Sequence, residues 1–325
     1  MRIASRASVY PAELLGSSPA VTKAAAAAEL AARRRDPVLI VAERGLSSER
    51  VARFIHASAS APFEALDCGA GTADTIVRDL FGQASARRTD LEGFAARSRL
   101  ARARGGTLFL ANLAQLPAGV QLRLARLLRD GEARLGAKTI RFDVRVIGAA
   151  YPGLEIEVAD RRFRPELFER LQRSRVDLPS LRDRPGDMPA IIAAVLDEVC
   201  SARRASRTLA PAAFTALAAL PWAGNIDELR LVLDRLVTKV GSGAIRQEDV
   251  LADLRLGAPA ARRYAALGSL REARLSFERE YIAAVLREHG WRMSDAARTL
   301  GIQRANLYRK TRQLGISRLK PSRVS

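Results

Sequence analysis

Residues 105–112, with the sequence GGTLFLAN, constrain the fold of this chain more than any other segment. Two glycines set a turn, and the apolar and β-branched residues after them predict a short strand buried on both faces, as in the centre of a parallel sheet. Ligands of such sheets bind beyond the carboxyl ends of the strands. A site that hydrolyses a nucleotide keeps carboxylates there, which hold Mg²⁺ and orient the attacking water. Ala111 and Asn112 occupy that position here, and neither carries a negative charge.

The composition of the chain favours a large, basic protein with a polyanionic partner. Its 325 residues can bury a sizeable core over two or three domains, and a hydrophobic fraction of 48% argues against disorder. The formal net charge is +19 and the isoelectric point is about 11.2, which indicates a partner such as nucleic acid. An arginine-rich bias of the whole proteome is the other explanation of this charge.

The few cysteines and the lack of long apolar stretches bear on which cofactors and which cellular compartment the sequence predicts. Cys68 and Cys200 are the only cysteines, with no CxxC pair and no cluster of histidines, so we expect neither a metal site nor a disulfide framework. No stretch approaches the roughly 18 apolar residues that span a bilayer, and the first residues lack a signal-peptide core. The sequence therefore predicts a cytoplasmic protein without a membrane partner.

A second strand, VLIV at residues 38–41, is followed by a loop and by a predicted helix that runs through His56. Strand, loop and helix in this order are the setting of a phosphate-binding loop, which needs glycines for its backbone N–H groups and a lysine for the β- and γ-phosphates. A βα turn without a ligand is the alternative, and the N–H groups at the helix start leave weak anion binding open. The loop has one glycine and no lysine, and its residues of interest are Gly45, Ser47, Ser48 and Glu49.

Capping signals and helical spacing predict further helices. Ser18 before Pro19 opens an alanine-rich helix to about Arg35, where Asp36 and Pro37 end it. Helical spacing over residues 188–199, 211–219 and 226–240 predicts a small helical subdomain after the last strand.

Several motifs occur in the order and at the spacing of one known family. They are LGSSPA at 15–20, VARFIH at 51–56, PF at 62–63, DC at 67–68, LFG at 80–82, GGTLFL at 105–110, VRVI at 144–147, LPSLRDR at 178–184, and WAGNI at 222–226 with EL at 228–229. Over roughly residues 13–316 the chain resembles the central AAA+ domain of the bacterial enhancer-binding proteins, the sigma-54-dependent transcription activators, followed by their Fis-type DNA-binding domain.

The resemblance implies an α/β fold: an AAA+ P-loop-like parallel sheet with a helical lid, followed by a small all-α Fis-type helix-turn-helix domain. The predicted boundaries are a short N-terminal tail at 1–12, the α/β subdomain at 13–177, the lid at 178–254, a linker at 255–268 and the helix-turn-helix domain at 269–325. No receiver or sensory domain is expected ahead of the scaffold, so we expect control through the scaffold, a partner or abundance.

The departures from the family pattern fall on its working parts. Ser48 replaces the phosphate-loop lysine and Ser47 its second glycine, while Ala111 and Asn112 replace both Walker B acids. The polar sensor residue after the next strand is replaced within AAY at 149–151, and Asp227 stands where the lid's sensor arginine is expected. We therefore predict no catalytic residue, no metal and no ATP hydrolysis. No cofactor is expected, although weak binding of ATP or another nucleotide stays open.

Two further features of the family are a tip that grips sigma-54, which is replaced in this chain, and a pair of arginine fingers, to which two arginines here are similar. The family's sigma-54-gripping tip, GAFTGA, is replaced by ASARRTDL at residues 84–91, with Gly93-Phe94 as the nearest remnant, so direct sigma-54 remodelling is not predicted. By contrast, Arg164 and Arg170 resemble the family's trans-acting arginine fingers. The alternative for them is a structural ion pair at Arg170 and a solvated Arg164.

The C-terminal residues predict a DNA reader. A long amphipathic helix from 269 to about 289 is followed by the helix SDAARTL, a turn containing Gly301 and a second helix, which together resemble the Fis-type helix-turn-helix. Residues 262–325 hold 15 Lys and Arg against five Asp and Glu, more than half of the net charge of +19. The candidate base-reading residues are Gln303, Arg304 and Asn306, with Tyr308 beside them, and the candidate phosphate contacts are Arg309, Lys310 and Arg312.

Fis-type modules dimerise through the helix before the reader, which implies inverted half-sites in palindromic double-stranded DNA. The resemblance therefore predicts a homodimer or a higher oligomer. Phe277 and Tyr281 are the candidate dimer residues, and both serve equally well as core residues.

Taken together, the sequence predicts a DNA-binding transcriptional regulator with an ATPase-deficient AAA+ scaffold. One alternative is an accessory subunit that supplies arginine fingers to an intact enhancer-binding protein in a mixed ring. The others are an active sigma-54-dependent ATPase and a pocket that senses another nucleotide, such as a cyclic dinucleotide.

Overall fold

The computed structural model describes residues 10–57, 60–82, 91–135, 138–241 and 243–256, and in the C-terminal part residues 278–279, 282–283, 285–286, 289–300 and 304–316. The chain divides into two compact units, Met1–Asp253 and Leu254–Ser325. In the described residues no helix is both long and apolar enough to cross a membrane.

The first unit is built on a parallel sheet of five strands in the order β2-β4-β7-β1-β8. A separate sheet has the order β3-β5-β6, and β9 pairs with β10. The strands are β1 Val38–Val41, β2 Phe63–Asp67, β3 Gly93–Phe94, β4 Thr107–Ala111, β5 Glu132–Leu135, β6 Lys138–Arg141, β7 Arg145–Ala150, β8 Arg175–Asp177, β9 Thr208–Leu209 and β10 Ala244–Ile245.

Helices cover this sheet and form the lid beyond it, and α12 and α13 belong to the described residues of the second unit. They are α1 Pro19–Ala32, α2 Ser48–His56, α3 Ala73–Phe81, α4 Arg99–Arg102, α5 Ala118–Asp130, α6 Leu154–Ala159, α7 Pro165–Gln172, α8 Met188–Arg203, α9 Pro211–Ala218, α10 Asn225–Lys239, α11 Gln247–Leu256, α12 Met293–Thr299 and α13 Arg304–Gln313. The predicted architecture of a parallel sheet with a helical lid is confirmed.

The strand that follows the paired glycines is an interior strand of the sheet, as predicted. In β4, Leu108, Phe109 and Leu110 are each at most 2% exposed, because β2 and β7 flank the strand and helices cover its faces. Gly106 has no room for a side chain, since a Cβ would lie 1.9 Å from the Pro62 carbonyl oxygen. The strand is one residue longer than expected, because Ala111 still pairs with Asp67 of β2.

Helix α1 ends at Ala32, three residues before the predicted end at Arg35. The buried guanidinium of Arg145, at the start of β7, is the physical reason. It donates to the carbonyl oxygen of Ala31 at 2.6 Å, in the last turn of α1, and to that of Asp36 at 3.2 Å. The Ala31 carbonyl oxygen also accepts from Arg34 N–H at 3.1 Å, so a side chain and a tight turn satisfy it rather than a further helical turn.

The segment before α1 is fixed to the start of the lid. The backbone N–H groups of Ser17 and Ser18 donate to Oδ1 of Asp187 at 2.7 and 3.0 Å, and the Ser18 hydroxyl donates to Oδ2 at 2.6 Å. Burial raises the pKa of Asp187, but these hydrogen bonds and the Arg184 charge outweigh it and hold the pKa below its ordinary value. Residues 12–14 are thereby held beneath the lid, where Glu13 is buried.

The second unit has its own apolar core. Small residues allow α12 to approach α13 closely, with Ala296 fully buried and Ala297 3% exposed. Predicted positions that lie outside the described residues are the loop at 83–90, Phe277, Tyr281 and Gln303. The buried members of the core are Ile282, Val285, Leu286, Ala296, Ala297 and Leu307.

Candidate nucleotide site and DNA-reading helix

The loop between β1 and α2 meets the lid directly. The Asn225 side-chain amide donates to the Arg44 carbonyl oxygen at 2.7 Å, and the Asp227 backbone N–H donates to the Gly45 carbonyl oxygen at 3.0 Å. Gly45 has φ of +77°, and a Cβ on it would lie 1.9 Å from the Gly224 carbonyl oxygen. Only glycine fits at this close approach, so the one glycine left in the loop serves the contact with the lid.

Three backbone N–H groups of the same loop, those of Leu46, Ser47 and Ser48, are bonded to acceptors of the protein itself. Leu46 N–H donates to the Glu43 carbonyl oxygen at 3.3 Å, and Ser48 N–H to the Leu46 carbonyl oxygen at 3.0 Å. Ser47 is the N-cap of α2, and its hydroxyl accepts from Arg50 N–H at 3.4 Å. A working phosphate loop directs such N–H groups at its ligand. In this chain, the three N–H groups donate to acceptors within the protein instead.

The predicted loop residues lie together, and Asp227 reaches them. Its carboxylate pairs with Arg230 at 2.9 Å and is 59% exposed, so its negative charge is partly neutralised. Glu49 pairs with Arg53 at 2.7 Å along α2, away from the loop. At the former sensor position, Tyr151 lies under the Arg44 guanidinium, 5.1 Å from its ring centre. These contacts cover the site with side chains.

The end of β4 lies two strands from the loop, on the same edge of the sheet, about 10 Å away by strand spacing. Asn112 has φ of +55°, and its side-chain amide donates to Oδ1 of Asp67 at 2.6 Å. The same Asp67 oxygen accepts from Gly69 N–H at 2.8 Å. Asp67 is a carboxylate that sequence reasoning missed at this edge, although its position at the end of the neighbouring strand was a usable signal.

A second missed residue is Glu13, whose side chain is fully buried. Its Oε1 accepts from Ser47 N–H at 3.2 Å, and its Oε2 has no hydrogen-bond partner among the residues that the structure describes. Burial raises the pKa of Glu13 above its ordinary value, opposed by hydrogen bonds from backbone N–H groups and by the charges of Arg50 and Arg230. Nothing in the sequence signals this contact, because the two residues lie 34 positions apart.

Helix α13, here called the reading helix, presents one polar face. Arg304 and Arg312 are exposed and Tyr308 is 51% exposed, at the i, i+4 spacing that places them on one side. Leu307 is fully buried on the other side. Arg309 contacts Asn306, with 3.4 Å between its Nη2 and the Asn306 Oδ1, whereas Lys310 pairs with Glu278. The structure therefore brings the described candidate residues onto one short helix.

Three family models match the chain. The Sigma-54 interaction domain matches residues 14–177, the AAA+ ATPase lid domain residues 182–266, and the Fis family of bacterial regulatory proteins residues 275–314. The nitrogen assimilation regulatory protein NtrX of Azorhizobium caulinodans is 30% identical over 330 residues, covering 94% of this chain and 70% of that protein. The DNA-binding transcriptional regulator NtrC of Klebsiella pneumoniae is 32% identical over 334 residues, covering 94% and 71%. The chain belongs to the bacterial enhancer-binding protein family.

Solved structures confirm the AAA+ fold of this enhancer-binding protein. NtrX from Brucella abortus in complex with ADP superposes with a TM-score of 0.63 at 29% identity, covering 93% of this chain and 70% of that one. The same relative was solved in complex with ATP. The RuvB Holliday junction branch migration motor of Thermotoga maritima, at 16% identity and a TM-score of 0.54, shares the fold alone.

Of the two candidate arginine fingers of this enhancer-binding protein, Arg164 is the N-cap of α7 and Arg170 lies in the last turn of that helix. Arg164 N–H donates to the Gln121 side-chain oxygen at 2.8 Å, and the Arg164 guanidinium lies 3.8 Å from Glu166. Arg170 donates to the Leu128 carbonyl oxygen at 3.2 Å. Each arginine therefore has a contact within the chain, and the finger role stays a prediction.

The segment Gly93-Phe94, which is nearest in sequence to the family's sigma-54-gripping tip, does not form an exposed tip. Gly93-Phe94 forms β3, and Phe94 is 2% exposed, with its ring edge-on to Phe142 at 6.4 Å between centres. A buried aromatic residue of the core cannot contact a partner. In the residues that the structure describes, no group of three or more His, Cys, Asp or Glu side chains is arranged to hold a metal.

Proposed function

We propose that this enhancer-binding protein is a DNA-binding transcriptional regulator whose AAA+ scaffold does not hydrolyse ATP. The single observation that carries the proposal is the state of the loop before α2, in which N–H groups that a phosphate would need are bonded within the protein. Ser48 adds no positive charge, and Ala111 and Asn112 offer no carboxylate to Mg²⁺. Without these charges, neither the metal nor the charge of the transition state is stabilised.

The remaining carboxylate at this edge does not restore the site. Asp67 already accepts hydrogen bonds from Asn112 and Gly69 through one oxygen. One carboxylate cannot both hold the metal and orient the water, and Asp227 places a further negative charge at the mouth of the site. The scaffold then serves to assemble subunits in the bacterial cytoplasm, without cofactor, metal or direct contact to sigma-54.

The DNA-binding half of the proposal rests on the reading helix. Its exposed face carries Arg304 near its start, where base edges are read in a helix-turn-helix, and Arg312 near its end, where phosphates are met. Arginine pairs with guanine through two hydrogen bonds, so Arg304 is the residue with the clearest base-reading chemistry. Two such modules in a homodimer would read a palindromic site.

Arg304→Ala is expected to cost about 1–3 kcal/mol of binding free energy per half-site and to relax the base preference at one position. The reason is the loss of a bidentate contact to one base. The matched control is Arg312→Ala, which lowers affinity by a similar factor for all sequences. Binding of a randomised duplex library followed by sequencing separates the two. An Arg304→Ala variant with unchanged site preference would remove this residue from base reading.

A further inference from the structure

We propose that Glu13 is the internal ligand of the loop before α2: its carboxylate fills the anion site of the loop from within the chain and closes it to phosphate. The inference rests on the proposed function, because it concerns the same loop, and it adds an identified residue that keeps the site occupied.

The first support is the position of the carboxylate. Ser47 is the N-cap of α2, a helix of nine residues, and its N–H is where an anion at the helix start would accept a hydrogen bond. Oε1 of Glu13 occupies that place at 3.2 Å. The side chain is fully buried, and Oε2 has no hydrogen-bond partner in the part of the chain that the structure describes. A buried carboxylate oxygen without a partner is costly, so its placement is set by the surroundings and not by its own hydrogen bonds.

Those surroundings are positively charged. Glu13 interacts electrostatically with Arg50, Arg184 and Arg230. Arg184 is 1% exposed and donates to the carbonyl oxygens of Glu13 and Leu15, yet its Nε and Nη2 have no hydrogen-bond partner among the described residues. Within the same part of the chain, the buried Nε of Arg230 also lacks a partner. Three guanidinium groups thus interact electrostatically with one carboxylate, which also accepts from one backbone N–H.

This arrangement has the chemistry of an oxyanion site. Arginine guanidinium groups and a helix N-terminus are the groups that proteins use to hold phosphate. Glu198 neutralises part of this charge, because it pairs with Arg50 at 2.6 Å and with Arg230 at 3.3 Å. Arg184 has no such pairing among the described contacts, and its charge faces Glu13 and Asp187. Removal of the Glu13 carboxylate would leave donors facing an unfilled space.

The test compares the wild-type chain with Glu13→Ala and Glu13→Gln in titrations of inorganic pyrophosphate without Mg²⁺, at constant ionic strength. We expect Glu13→Ala to bind pyrophosphate on the order of 10- to 100-fold more tightly than the wild type, as the loss of a competing charge-assisted contact predicts. Glu13→Gln keeps an acceptor for Ser47 N–H but loses the charge, and we expect an intermediate gain. Calorimetry gives the affinities, and the ligand-dependent shift in melting temperature gives a second reading.

The control variant is Glu132→Ala, which removes an exposed acid in β5 of the separate three-stranded sheet and should bind pyrophosphate as the wild type does. Equal affinity in the wild type and both Glu13 variants would overturn the inference, as would a gain of the same size in Glu132→Ala. Because Glu13→Gln preserves the shape of the side chain, it keeps the test decisive if Glu13→Ala does not fold. Binding is measured here and not hydrolysis, so this inference and the proposed function can fail separately.

Discussion

Binding of the intact protein to a palindromic duplex is expected to weaken about 1,000-fold when monovalent salt rises between roughly 50 and 200 mM. Each reading helix carries three candidate phosphate contacts, Arg309, Lys310 and Arg312, and a dimer therefore has about six. Every phosphate that is neutralised releases counterions, so the logarithm of affinity falls linearly with the logarithm of salt, with a slope of about −5. Fluorescence anisotropy over a salt series gives this slope.

Single substitutions measure how much each residue contributes to the slope of affinity against salt. Arg312→Ala should reduce the magnitude of the slope by about two, one for each subunit of the dimer. Lys310→Ala should act less, because Lys310 pairs with Glu278 in the structure and must exchange this partner for a phosphate. A slope near zero, or one that the Arg312 substitution leaves unchanged, would show that DNA is not held through this helix.

Arg145→Ala is expected to lower the free energy of unfolding by about 3–5 kcal/mol. The guanidinium is 7% exposed and donates to the carbonyl oxygens of Ala31, Asp36 and Ile55, which ties the ends of α1 and α2 to the start of β7. Burial, and then the nearby Arg35, lowers the pKa of Arg145 to about 10, so the group is still charged at neutral pH. Alanine would remove this donor from all three carbonyl groups, of which the bonds to Ala31 and Ile55 are buried.

The matched control for this stability effect is Arg141→Ala. Arg141 lies at the end of β6 and is exposed, so its loss should change the free energy of unfolding by no more than about 0.5 kcal/mol. Urea unfolding followed by circular dichroism compares both variants with the wild type. Equal midpoints for the Arg145 and Arg141 variants would contradict the role given to the buried guanidinium.

The sheet could be predicted from the sequence because its signals are local. Short apolar runs such as residues 38–41 and 107–110 indicate buried strands, and a loop and a helix were predicted after the first of them. These features depend on neighbours within a few positions. The predicted end of α1 was wrong by three residues, because a side chain from β7 decides where the helix stops.

At the candidate site, the losses stay predictions from the sequence, and the contacts that take their place were missed. The absent lysine and acids are visible in the sequence at Ser48, Ala111 and Asn112. The contacts of Glu13 with Ser47 and of Asp67 with Asn112 join residues that lie 34 and 45 positions apart, and no periodicity or cap connects them. Such pairs are set by the packing of the whole unit, so they emerge only with the structure.

The central claim is that this AAA+ scaffold does not turn over ATP, and steady-state phosphate release with Mg²⁺ and ATP tests it most directly. The predicted result is release at the level of buffer alone, with or without a palindromic duplex, over a wide range of protein concentration. Release that rises in proportion to protein concentration, survives further purification and disappears in Ser48→Ala would contradict the claim.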